Sequence, residues 1–117
     1  MAGLLEGIRI LDFGRYIAGP MCAALLADHG ADVIRVERIE GGEDRRIYPV
    51  TNDGDGALYL QMNRNKRAIA LDVKAPAARP VLDRLIASAN VVVVNLPPDI
   101  LSALGLDYAS LCRIRPD

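Results

Sequence analysis

The chain has 117 residues, 51% hydrophobic and 25% charged, with a formal net charge of −1. That length allows one domain at most, able to bury roughly two-thirds of its unfolded surface, and no apolar run approaches the roughly 20 residues of a membrane span. The charge balance excludes a polycation built for a nucleic-acid backbone, and one Phe, four Tyr and no Trp provide no platform for stacked bases.

Ile8, Ile10, Leu11 and Phe13 predict a first strand that breaks at Gly14. After Gly19-Pro20 the spacing of Met21, Ala24, Leu25 and Asp28 predicts a helix with Pro in its first turn, stopped at Gly30. Glu6, Arg9 and Asp12 interrupt any secretory signal, so a cytoplasmic location is the expectation. His29 falls in the helix's last turn, where capping suits it better than catalysis. A second strand, Val33 to Val36, ends at Glu37-Arg38 and closes a right-handed βαβ unit with parallel strands.

Ile39 to Gly56 is rich in Gly, Asn and Asp and predicts a long loop, about residues 39–56, of the kind that serves as a lid or mobile segment. Ala57 to Met62 reads as a helical turn. Asn63 to Arg67 is polar and leads into a third strand, Ala68 to Val73, and Pro76 opens a helix with Val81, Leu82, Leu85 and Ile86 as its stripe. Four valines, Val91 to Val94, suit a central strand buried on both faces. Two short helices are expected near Asp99 to Leu104 and Tyr108 to Ile114. The elements predict an α/β fold: a Rossmann-like, open, mostly parallel sheet of about four strands flanked by helices, half of a doubly wound domain, with 1–117 as a single partial domain.

In such sheets ligands collect beyond the carboxyl ends of the strands. The loops there are Gly14 to Ala18, Glu37-Arg38, Leu71 to Lys74 and Asn95 to Pro97. Arg38 and Lys74 supply charge and Asn95 hydrogen bonding, which suits a phosphorylated, nucleotide-like ligand. Gly14 and Gly19 have Walker spacing, but Pro20-Met21 replace the lysine and hydroxyl; GxGxxG also fails, and only Glu37 fits an NAD site. Arg64, Lys66 and Arg67 precede the third strand, at its amino edge, so a solvated or interface role is expected of them. Cys22 and Cys112 have neither CxxC nor histidine partners; no metal site is predicted, and both are expected as reduced thiols on apolar helix faces.

Three blocks, LDFGRYIAGPMCAALLADHGADVIRVER, NRNKRAIALDVK and NVVVVN followed by a proline and LGL, resemble the N-terminal region of the family III CoA-transferases, from about Leu5 to Leu111. Formyl-CoA transferase, carnitine CoA-transferase and α-methylacyl-CoA racemase are relatives in that family. The resemblance implies an N-terminal CoA-binding region. Positions matching Ile17 and Ala18 contact CoA, Arg38 reaches its adenosine-phosphate end, and Leu71, Asp72, Val73, Lys74, Asn95, Leu96 and Pro97 line the site. It implies CoA or acyl-CoA as substrate with a carboxylic acid acceptor, no covalently bound cofactor, and an interlocked homodimer in full-length members; composition and charge had already pointed to no nucleic-acid and no membrane partner. Transferases use an aspartate that forms an anhydride with the acyl group, at a position beyond Asp117; no catalytic residue is assigned here, and Asp12, Asp28 and Asp32 are not substitutes. A racemase fragment, a non-catalytic CoA- or nucleotide-binding module and an NAD-binding half are the alternatives. This chain departs from the family at Val94-Asn95-Leu96, where Glu-Asn-Phe/Tyr is common, at Pro98-Asp99, where Pro-Gly is usual, and at Ala103, where a basic residue is frequent.

Overall fold

A computed structural model describes residues 3–117. Strand β1 (Arg9–Asp12), helix α1 (Ala18–Asp28) and strand β2 (Asp32–Glu37) form the expected βαβ unit. Helix α1 contains no β-branched residue, ends with His29 as its C-cap, and is followed by Gly30 at φ +99°. Its buried face is small: Gly19, Pro20, Ala23, Ala24 and Ala27 let it lie close over Ile10 and Val33. The expected stripe is therefore displaced, with Met21 only half-buried and Leu25 exposed. Cys22 is exposed too, not on an apolar face, whereas Cys112 is half-buried; both are free thiols.

Strands β3 (Arg67–Ala70) and β4 (Val91–Val93) complete a four-stranded, all-parallel sheet in the order β3-β2-β1-β4. Among the described residues the valine run is thus the outermost strand of the sheet, paired with β1 alone, where a central strand was expected. Its side chains do meet apolar groups on both faces, Val92 and Val94 on one and Val93 on the other. Only the order of crossovers decides which strand lies outermost, and here β4 returns beside β1, leaving Val91 40% exposed. β3 is shorter than predicted, although Leu71 N still donates to Glu37 O at 2.9 Å.

Helix α2 (Ala57–Met62) matches the predicted turn. Pro76 opens a 3-10 turn (Pro76–Ala78) that runs into α3 (Arg79–Ser88), and α4 (Pro98–Leu104) and α5 (Tyr108–Ile114) follow. Leu82 and Ile86 of α3 pack with Leu11, Ile34, Val36 and Leu106 into the larger core, on the sheet face opposite α1. Between β2 and α2 the chain makes a 3-10 turn (Glu43–Arg46) and a bridge between Val50 and Gly56. Among the described residues no helix is long and apolar enough to cross a membrane.

Candidate functional site

The turn after β1 is built by three close contacts. Asp12 Oδ1 accepts from Gly14 N at 2.8 Å, and Asn95 Oδ1 accepts from Arg15 N at 2.7 Å while its Nδ2 donates to Arg15 O at 3.0 Å. Asn95 thereby clamps the ends of β1 and β4 together. Gly14 and Gly19 touch: a Cβ on Gly19 would stand 2.8 Å from Gly14 Cα. The chain passes through Tyr16 at φ +59°, an uncommon conformation for a side chain of that size, found mostly where surroundings enforce it.

A cavity of about 60 Å³ opens beside this turn, with Arg15, Arg38, Glu43, Leu71, Val73 and Leu96 in its wall. Glu43 Oε1 bridges two guanidiniums, 3.2 Å from Arg15 Nη1 and 3.0 Å from Arg38 Nη2. A hydrogen bond from its own backbone, with burial opposing and both arginines assisting, holds the Glu43 carboxyl below its ordinary range. The site's chemistry is therefore that of paired, partly exposed cations over an apolar floor, suited to a phosphorylated ligand with an apolar part.

Beneath it lies a buried polar network that sequence reasoning missed. Arg35, in the middle of β2, donates to Asp44 Oδ1 at 2.8 Å and to Asn63 Oδ1 at 2.6 Å, while its Nε lacks a hydrogen-bond partner among the described residues. Lys66 Nζ donates to Asp12 Oδ2, Pro20 O and Asn63 Oδ1 at 2.7, 2.7 and 2.9 Å, so all three ammonium protons are used. Burial lowers its pKa against the opposing hydrogen bond to Asp12. Arg45 donates to both oxygens of Glu37, and its guanidinium lies 3.7 Å from the Tyr59 ring centroid.

These contacts correct the expectation for Lys66, which is buried and paired. Register explains it: Arg67 pairs with Ile34, two residues into β2, so the residue before β3 lies beside the body of the sheet, within a lysine's reach of Asp12. Arg64 and Arg67 do face solvent, paired with Asp28 and Asp32. The signal for the network was in the sequence as Arg35, a charged residue inside an apolar strand.

A family model described as CoA-transferase family III matches residues 5–117. The chain belongs to that family. It is 43% identical over 119 residues to the succinate–glutarate CoA-transferase of Agrobacterium fabrum, covering 96% of this chain and 30% of that protein. Against the formyl-CoA:oxalate CoA-transferase of Afipia carboxidovorans identity is 42% over 118 residues, covering 99% of this chain and 28% of the relative. A solved CAIB/BAIF family protein from Brucella suis superposes with a TM-score of 0.90 at 36% identity, over 97% of this chain and 31% of its own. The chain thus spans less than a third of the length of these relatives.

Within this family III chain the nominated residues separate by position. Arg38, Leu71, Val73 and Leu96 share the cavity, and Lys74 lines an adjoining groove with Val73. Asn95 has its amide committed to the Arg15 backbone. The Asp72 carboxylate accepts from Lys74 N at 3.1 Å and shapes the turn. Ile17 and Ala18 lie exposed at the start of α1, and Pro97 is the N-cap of α4, its carbonyl accepting from Leu101 N at 3.0 Å. Arg15, from the nominated loop Gly14 to Ala18, stands in the cavity wall together with Glu43, which no strand-end loop or motif nominated.

Proposed function

We propose that this chain forms the CoA-binding region of an enzyme that moves CoA between an acyl-CoA and a carboxylic acid, the substrates named for its relatives. The observation that carries this reading is the convergence of three strand ends, through Arg38, Leu71 and Leu96, on one cavity flanked by the guanidiniums of Arg15 and Arg38, in a chain of this family. Phosphate oxygens of CoA would take the place of the Glu43 carboxylate on those two arginines, and Leu71, Val73 and Leu96 would meet the apolar parts of the ligand. Asn95 would act indirectly, by holding the Arg15 backbone. Asp12 is bound to Lys66 and Gly14 and is no free nucleophile, so the carboxylate that attacks the thioester is assigned to another part of the enzyme. Action as a homodimer in the cytoplasm belongs to the same proposal; the two free thiols are consistent with a reducing compartment.

Calorimetric titration with CoA and with NAD tests it. The expected result is saturable binding of CoA and none of NAD. Binding of NAD alone would replace the reading with a dinucleotide site.

A further inference from the structure

Along the segment from Gly42 to Arg45, neighbouring residues differ in how firmly they are held. Gly42 N donates to Glu37 Oε2 at 3.0 Å, Asp44 Oδ1 accepts from Arg35 Nη2 at 2.8 Å, and Arg45 Nη2 donates to Glu37 Oε1 and to the Tyr59 hydroxyl, each at 2.6 Å. These anchors are buried, with the Asp44 side chain 1% exposed and that of Glu37 7%. Between them the Glu43 side chain is 36% exposed, and the hydrogen bond it accepts from Arg15 Nη1, at 3.2 Å, exceeds the roughly 2.7–2.9 Å usual between charged partners. The backbone is therefore fixed on both sides of a carboxylate that is free to turn away.

That carboxylate, ionised at neutral pH, touches Arg15 and Arg38 through one oxygen. Fastened to the wall, it acts at a high effective concentration. A free carboxylate makes the same kind of contact with the two guanidiniums, gains nothing over Glu43 and loses its own translational freedom on binding. A diphosphate brings more negative charge, and CoA adds apolar parts for Leu71, Val73 and Leu96, so such a ligand can displace Glu43. The distinction bears on the proposed reaction, whose second substrate is itself a carboxylate that paired arginines would otherwise attract.

We infer that Glu43 is a specificity-determining residue, a tethered carboxylate that reserves Arg15 and Arg38 for a phosphorylated ligand and keeps the carboxylic acid acceptor off them. The inference rests on the CoA reading and deepens it. Its counterpart is weaker binding throughout: any ligand that takes the two arginines must first displace Glu43, so removing the carboxylate tightens the binding of every such ligand by the same factor.

The test is calorimetric titration of the whole chain and of the variants Glu43→Gln and Glu40→Gln with CoA, with inorganic pyrophosphate, and with CoA in the presence of succinate at constant ionic strength. Glu43→Gln should bind CoA and pyrophosphate each about three- to tenfold more tightly, the scale of two partly exposed ion pairs. Succinate should weaken CoA binding in Glu43→Gln and leave it unchanged in the unsubstituted chain. Glu40 is an exposed carboxylate of the same segment with no ion pair among the described residues, and Glu40→Gln should stay within about twofold. Weaker or equal CoA binding by Glu43→Gln, an equal gain in Glu40→Gln, or succinate competing alike in both proteins overturns the inference and leaves the CoA reading standing. A gain for pyrophosphate in a chain that never binds CoA overturns the CoA reading instead; binding of neither ligand by any variant overturns both.

Discussion

Lys66 Nζ stands 2.7 Å from Asp12 Oδ2, and the side chains are 1% and 0% exposed. Asp12 uses its other oxygen on Gly14 N, so one buried carboxylate joins the segment before β3 to the first turn of the candidate site. Removing one partner strands the other's charge. Lys66→Met and Asp12→Leu should each cost about 3–5 kcal/mol, whereas the double variant should cost less than their sum. Urea unfolding of the four proteins gives the coupling directly; strictly additive losses would mean that the pair does not act as a unit.

Glu37 is nearly buried; its burial favours the neutral acid, but the hydrogen bonds from Arg45 and Gly42 prevail and lower its pKa below the ordinary 4.5. A carboxyl with a depressed folded-state pKa contributes stability above its unfolded value, and loses it as pH falls through the folded one. Stability should therefore hold steady above about pH 4.5 and decline below it. Glu37→Gln should lower stability at neutral pH and flatten that acid decline, measured as urea midpoints across pH. Parallel acid limbs in the two proteins would assign the decline to other carboxyls, such as the more exposed Asp28 and Asp32.

Gly19 has no room for a side chain. A Cβ there would approach Gly14 Cα at 2.8 Å and Asn95 Oδ1 at 3.1 Å, the atom that holds Arg15 N. Gly19→Ala should cost about 1–3 kcal/mol of stability, as overpacking does, and weaken CoA binding by displacing Arg15. Comparing the denaturation midpoint with the CoA titration separates the two effects; full affinity in a folded variant would dissociate this turn from the site.

Arg38 and Arg67 offer a contrast between two exposed arginines. Arg38 is in the cavity wall with Glu43, and Arg67 is paired with Asp32 away from it. Arg38→Ala should weaken CoA binding about tenfold and reduce its salt dependence, while Arg67→Ala should leave both within about twofold. Titrations at two salt concentrations decide it, and equal losses in the two variants would point to a diffuse charge effect.

Much of this protein was legible along the chain because it is local. The periodicity of Ile8 to Phe13, the stop at Gly30, the Pro76 start and the valine run each report a neighbourhood of a few residues, and they located the βαβ unit and the strand ends that carry Arg38, Leu71, Lys74 and Asn95. The three motif blocks likewise placed the chain in its family. Tertiary structure alone decided the rest. Strand order depends on how separate crossovers pack, so β4 could read as central and still lie outermost among the described strands. The two-residue offset of β3 against β2 turned Lys66 from a surface cation into the buried partner of Asp12. The division of labour among the nominated residues, with Asn95 fastening the backbone, Asp72 shaping a turn and Glu43 bridging Arg15 and Arg38, arises from contacts between segments distant in sequence, which no local pattern encodes.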